Sequence, residues 1–417
     1  MYDLIIRDAT IIRSSGRLVT DVAVEGGKIV SMGGRISGAA KEEVNGVGRF
    51  LLPGFIDTQV RFHGANDPSV VDWGAGSRAA VRGGVTTAIE LPSCADAPDE
   101  AMARLEHASQ HAITNFGAWA KASEANLGLI NDYWNRGLIC GAYAQLDASR
   151  AFAESGLSAF AASFPGLLGV HIAENTHDAD NMVMGMEYVI ELVKQSAHPV
   201  HITSLSTAAE LKALELVLDE LPITVAATLS TLFLSDQAAP SPGAEPVVVP
   251  PIRGELDRRA LWAAAKRGKI NIFASGHTPF SQWESGQAGV PGVDMLLALL
   301  SCSVHHGRIS LERLVEFCCE GPAKLLGLAN KGEVKEGWDA DLILISEGQN
   351  GRMESVDPSL GLSWSPYLNR RVGIAPHLVV VGGNVVSRDG QLVDELKLGS
   401  MAEFSRDRVL AQRAVGD

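Results

Sequence analysis

Three imidazoles and one guanidinium carry most of the chemistry this sequence can offer. His171, His201 and His277 each lie in or just after a short apolar run, and Arg61 stands two residues beyond Gln59 at the end of another. Imidazole titrates near neutral pH, so each histidine is a candidate general acid or base. Arginine keeps its proton and presents a planar fork of donors, which suits a carboxylate or a polarised carbonyl oxygen. Gln59, His63, Ser93 and Tyr143 are polar neighbours able to line a binding space. Such a set supports acid/base work on a small polar ring. Metal binding is the competing use of the histidines. Zinc takes about three to four protein ligands, so His171 and His201 would need His63 or His277 to complete a site. The Arg61 charge opposes this, because a guanidinium repels a nearby divalent ion. No cofactor is therefore expected; a single zinc or similar divalent metal on His171 and His201 is the alternative. Hydrogen-bonded histidines buried in a core are the plainer reading of the same residues.

The elements that must position these groups are legible as apolar runs. Phe55-Ile56, Thr86 to Leu91, Asn115 to Trp119, Leu138 to Tyr143, Gly169 to Ile172, Pro199 to Ile202, Ile223 to Ala226 and Ile270 to Ala274 read as strands. Amphipathic stretches separate them, such as Thr207 to Leu218, where Ala208, Leu211, Leu214 and Leu218 fall at helical spacing. This βαβα order predicts an α/β fold, a TIM-like (β/α)8 barrel over residues 51-330. A doubly wound open sheet is the alternative, but no Gly-x-Gly-x-x-Gly turn follows any strand to favour it. In such a barrel functional side chains sit at the carboxyl ends of the strands. That rule selects Gln59 and Arg61, Glu90 or Ser93, Lys121, Tyr143, His171, His201, Thr228, and Ser275 to His277. Residues 1-50 and 331-417 differ in character, with short apolar runs and the Gly26-Gly27 and Gly382-Gly383 turns. They predict a small β-sandwich domain built from both ends of the chain.

Composition narrows the function classes. With 417 residues and 46% hydrophobic content, the chain has material for a large core. A net charge of -14 argues against nucleic acid, which needs clustered Lys and Arg. No apolar stretch is long enough to span a membrane, and Met1 to Arg13 lacks the apolar core of a signal peptide. The odd number of cysteines without Cys-x-x-Cys spacing suggests reduced, mostly buried thiols, and a cytoplasmic setting is expected.

Framework motifs add a resemblance that covers nearly the whole chain. They are Leu52-Pro53-Gly54-Phe55-Ile56-Asp57-Thr58, Gly83-Gly84-Val85-Thr86-Thr87, Pro250-Pro251-Ile252-Arg253, Gly289-Val290-Pro291-Gly292-Val293 and Gly321-Pro322-Ala323-Lys324-Leu325-Leu326-Gly327. Together they resemble the amidohydrolase superfamily, in its branch of dihydroorotases, allantoinases and dihydropyrimidinases. The resemblance implies hydrolysis of a cyclic amide, a metal pair that activates water, and a homo-oligomer, dimer or tetramer. His171 and His201 match the family's single histidines on strands five and six. The other ligand places depart from the pattern. Gln59 and Arg61 stand for the two histidines of strand one, Ala142 or Tyr143 for the bridging lysine of strand four, and Gly276 for the aspartate of strand eight. Ser93 replaces an asparagine, and Leu229-Ser230-Thr231-Leu232 replaces a Pro-His-His-Leu run.

Three functions follow. The first is an enzyme handling a small cyclic amide, imide or related ring without the usual metal pair, with Arg61 as carbonyl or carboxylate clamp and a histidine as acid or base. The second is an inactive homologue kept as a structural subunit or a small-anion binder. The third is a mononuclear metal hydrolase using His171 and His201. The partner in the first is a small cyclic or anionic molecule, with no nucleic acid and no membrane.

Overall fold

The computed structural model describes residues 1–62, 73–92, 100–147, 156–173, 179–236, 248–279, 289–346, 351–357, 364–373 and 375–406. The expected site residues His63 and Ser93 lie outside these. The N-terminal run folds into five strands, β1 (Tyr2–Arg13), β2 (Gly16–Glu25), β3 (Lys28–Gly33), β4 (Ala40–Asn45) and β5 (Arg49–Pro53). β1 pairs antiparallel with β2 and parallel with β4 and β5. Its Leu4, Ile6, Ala9 and Ile11 enter one small hydrophobic core with Val22 and Val24 of β2.

The middle of the chain forms the barrel. Its strands are β6 (Phe55–Val60), β7 (Val85–Glu90), β8 (Asn115–Ala118), β9 (Ala120–Lys121), β10 (Ala142–Asp147), β11 (Leu168–Ala173), β12 (Val200–Ile202), β13 (Ile223–Thr228) and β14 (Ile272–Ala274), all in parallel pairs. Trp119 separates β8 from β9, which are two halves of one strand. The ring closes where Val60 bridges His277 in parallel and the Arg61 N–H donates to the His277 carbonyl at 2.8 Å. The TIM-like (β/α)8 expectation is met. One boundary is corrected: the fourth strand is Ala142–Asp147, not Leu138 to Tyr143. Ile139 and Cys140 are buried, and the Cys140 N–H donates to the Ala118 carbonyl at 3.0 Å, but they approach the strand and do not belong to it. An apolar run reports burial; it does not by itself locate a ladder. The helix expected over Thr207 to Leu218 spans Ala208–Glu215, opened by a capping box in which Thr207 Oγ1 accepts from the Glu210 N–H at 3.1 Å.

Inside the barrel the Trp119 indole lies across the strands, its Nε1–H donating to the Thr58 carbonyl at 3.1 Å. It has room because Gly141 and Gly169 lack side chains: a Cβ on either would sit 2.9 or 3.0 Å from the ring. Among the described residues no helix is long and apolar enough to cross a membrane.

The chain then returns through β15 (Leu342–Ser346), β16 (Gly351–Arg352), β17 (Arg371–Val372), β18 (Leu378–Val381), β19 (Asn384–Arg388) and β20 (Gln391–Leu392). β15 pairs antiparallel with β5 and joins the two ends of the chain in one sheet of nine strands. Strand alternation divides β15 between two cores: Leu342 and Leu344 face the small core, Ile343 and Ile345 the barrel core. Not all of the C-terminal segment stays with this sheet. β16 and β17 form a hairpin against the helix Leu296–His305, where the Gly373 N–H donates to the Ala298 carbonyl at 2.6 Å. Met401 and Phe404 bridge back to Phe116 and Leu328.

One buried carboxylate ties sheet to barrel. Asp341 accepts two hydrogen bonds from Asn115 Nδ2 at 3.0 Å and one from the Gly382 N–H at 2.8 Å, and pairs with the buried Lys331. Its carbonyl accepts from the Gly54 N–H at 2.8 Å. Removing one partner of such a pair strands a charge out of water, at a cost of about 3–5 kcal/mol. Lys331→Met is therefore expected to destabilise the protein by about that amount. A urea midpoint equal to that of the unaltered protein would contradict the assignment.

Candidate functional site

The parallel register sets which side chains share a layer of the barrel. Lys121, Tyr143, Gly169, His201 and Thr224 are successive partners across β9 to β13, and Gln145 pairs with His171 two residues closer to the strand ends. Tyr143 and His171 lie near parallel with ring centroids 6.4 Å apart. Arg61 joins them from strand one. Its Nη2 donates to Tyr143 Oη at 3.5 Å and its Nε to the Pro92 carbonyl at 3.3 Å, and its charge acts on His171. Arg61 and His171 remain partly exposed, while Tyr143 beside them is buried.

The protonation states follow from this placement. Desolvation first, and the Arg61 charge second, lower the His171 pKa to about 3. A hydrogen bond to the backbone of Val249 works the other way. His171 is thus a neutral imidazole beside a permanent cation at neutral pH. Any bound anion that offsets Arg61 raises its basicity.

Gln59 and His201 sit deeper. Gln59 is buried and its Nε2 donates to the Thr203 carbonyl at 2.5 Å, so the amide acts as a strut between strands one and six. His201 is fully buried, stacked 6.4 Å from Trp119 with an interplanar angle of 8°, and its Nδ1 lies 2.9 Å from Thr224 Oγ1. Burial lowers its pKa to about 3. Its Nε2 has no hydrogen-bond partner among the described residues.

His277 is held apart from this cluster. Its Nδ1 accepts from the N–H groups of Gly292 and Val293 at 3.1 and 3.2 Å, which places the ring proton on Nε2. The ring meets Phe62 edge-on at 5.6 Å, and burial lowers its pKa to about 3. Among the described residues no side-chain contact links it to Arg61, His171 or His201; it fastens the backbone at Gly292 and Val293.

Three further residues matter that the sequence reading did not single out. Thr203 receives Gln59 on its carbonyl and meets His171 Nδ1 with its hydroxyl at 3.4 Å. Its position two residues after His201, on the same face, was an available signal. Gln145 was missed because the strand was drawn several residues too early. Asp57 is fully buried, with Oδ1 accepting from the N–H groups of Gln59 and Ser275, both at 3.1 Å; burial pushes its pKa up to about 6.

The donor set does not fit a metal pair. The guanidinium of Arg61 and the committed amide of Gln59 stand where the resemblance implies two imidazoles. Gly276 adopts a left-handed φ of +64°, and a Cβ there would lie 3.1 Å from Thr228, so an aspartate would be strained at that position. Among the described residues no three His, Cys, Asp or Glu side chains come together so as to hold a metal ion.

Comparisons place this geometry among known proteins. The amidohydrolase family model matches residues 168–386. The chain is 28% identical to a dihydroorotase of Halobacterium salinarum, with 92% of this chain and 96% of that protein covered. It is 27% identical to an allantoinase of Rubrobacter xylanophilus, covering 93% and 96%. Among solved structures it is similar to the L-hydantoinase (dihydropyrimidinase) of Arthrobacter aurescens, with a TM-score of 0.86 at 23% identity over 97% of this chain and 100% of that one. The D-hydantoinase (dihydropyrimidinase) of Thermus sp. gives a TM-score of 0.88 at 21% identity over 96% and 99%.

Two measurements check the electrostatics. Arg61→Met removes the second cause of the His171 shift and leaves the first, so the His171 midpoint is expected to rise in a nuclear magnetic resonance titration; an unmoved midpoint would separate the two groups. The three neutral histidines also predict acid sensitivity. Their folded pKa near 3 lies below the unfolded value of about 6.5, so the unfolded chain binds more protons between these limits. Asp57, Asp294 and Glu210, raised by burial, oppose this, while Asp21, Asp339 and Glu255, lowered by basic partners, reinforce it. The three histidines act in the same direction, so the thermal midpoint is expected to fall from about pH 7 to about pH 4. A flat profile would count against neutral buried imidazoles.

Proposed function

The chain belongs to the amidohydrolase family, and we propose that it acts on a cyclic amide, imide or related small ring without the family's metal pair. The observation that carries this reading is the Arg61, Tyr143 and His171 trio inside the barrel. Arg61 and Tyr143 donate to a ring carbonyl oxygen or a carboxylate of the substrate, where negative charge grows as the ring opens. That charge offsets Arg61 and lets the neutral His171 take a proton from water as the oxygen adds to the carbonyl carbon. The same proton passes to the ring nitrogen as the carbon–nitrogen bond breaks. Without metal activation of water, strained or activated rings are the fitting substrates. A dimer or tetramer and a cytoplasmic setting belong to the same proposal.

Two observations support other readings. The Nε2 of His201, buried without a partner among the described residues, is a donor that a single divalent metal shared with His171 would use. The conversion of Gln59 into a strut favours a binding or structural role without turnover.

The test combines metal analysis with kinetics. Protein purified without chelator is expected to lack stoichiometric metal and to turn over a member of a panel of dihydroorotate, allantoin, hydantoins, dihydropyrimidines and cyclic imides. Arg61→Met and His171→Gln are each expected to lower kcat/KM by about 10²–10³-fold. Stoichiometric metal lost on His201→Ala would replace this reading with the mononuclear one. Ring binding that depends on Arg61 without turnover would leave a binding protein.

A further inference from the structure

A cavity of about 260 Å³ lies between the helix Leu296–His305 and the hairpin of β16 and β17. Leu299, Cys302, Ser303 and His306 line it at helical spacing, together with Arg308, Arg352, Arg370 and Arg371. Among the described residues no carboxylate lines it. None of these four arginines makes an ion pair among the described residues, although the chain has a net charge of -14. Their contacts are to neutral groups. Arg352 Nη1 donates to the Asn369 carbonyl at 2.6 Å, and Arg308 stacks 5.5 Å over the Trp262 ring. His306 Nδ1 lies 2.7 Å from the Cys302 carbonyl and must donate to it, which leaves Nε2 to accept from Arg371 Nη1 at 3.5 Å. Arg370 is half-buried, and burial and the neighbouring Arg258 hold its pKa below the usual arginine range. Glu255, the acid nearest to it in effect, is already bonded by Arg258 at 2.6 Å and by Arg259 at 2.8 Å.

We propose that this cavity is a second ligand site, separate from the barrel mouth, that binds a compact multivalent anion of the diphosphate, triphosphate or tricarboxylate type. Four guanidiniums in one concave space are neutralised by several charges on a small frame, and each offers a fork matched to phosphate or carboxylate oxygens. A single-charged ligand would leave most of the repulsion in place. A long polyanion would extend beyond the cavity onto an acidic molecule, where it is repelled. His306 is a positioning residue: its fixed tautomer holds the Arg371 guanidinium at the rim.

The test is calorimetric titration of the full chain with inorganic pyrophosphate and, in a second arm, citrate, against sodium chloride of equal ionic strength. Saturable one-site binding of either anion is expected, and the preferred one identifies phosphate or carboxylate as the natural chemistry. Arg371→Gln and Arg352→Gln change exposed side chains; each is expected to weaken binding about tenfold or more while leaving the unfolding midpoint in place. Arg61→Met is expected to bind pyrophosphate as the unaltered protein does, so this site stands or falls independently of the ring chemistry. Heats no larger than those of sodium chloride, or affinities unchanged in both glutamine variants, would overturn the proposal. So would loss of binding in Arg61→Met alone, or tighter binding of a single-stranded oligonucleotide than of either small anion.

Discussion

The molecule depends on one buried carboxylate. Asp341 reaches the barrel through Asn115 on β8, the terminal sheet through the Gly382 turn, and the β5–β6 junction through its own carbonyl to Gly54. With Lys331 beside it the charge is paired, and its acceptor positions are filled by donors from three separate parts of the chain. That geometry aligns β8 and hence Trp119, whose indole fills the barrel interior beneath the site. Trp119 in turn requires bare glycines at 141 and 169 and lies flat against His201. A chain of contacts thus runs from the domain junction to the imidazole of strand six.

Above that layer, the decisive quantity is the charge of Arg61. A permanent cation there adds to desolvation in lowering the pKa of its histidine neighbour and supplies a positive field where the family's resemblance implies metal. The surrounding changes are physically consistent with it. Gln59 is spent on a cross-barrel hydrogen bond, and Gly276 turns through a left-handed conformation that leaves no ready place for a carboxylate. Fixed donors around a half-open space can stabilise a developing negative charge without a metal ion, provided that the substrate brings part of the driving force itself.

Much of this was legible in the chain. Strand-forming runs separated by amphipathic stretches follow from side-chain periodicity alone, and periodicity is local. The departures at Gln59, Arg61 and Gly276 are visible as letters, because the surrounding framework motifs locate them. The closed ring and the joining of the two termini were foreseen on the same grounds. The displaced start of the fourth strand was not: Ile139 and Cys140 are as apolar as strand residues, and only the hydrogen-bond ladder distinguishes them.

Which polar groups meet was decided in three dimensions. His171 and His277 look equivalent along the chain, yet one faces Arg61 and Tyr143 while the other is consumed by two backbone donors of the following loop. Thr203 and Gln145 acquire their places only from the register of neighbouring strands. Arg308, Arg352 and the consecutive Arg370 and Arg371 are far apart along the chain yet line one cavity. The sequence by itself determined the residue types, their charges and the barrel that carries them. Tertiary structure alone decided their partners, because hydrogen bonds, desolvation and Coulomb repulsion act over a few ångströms between residues that the chain holds far apart.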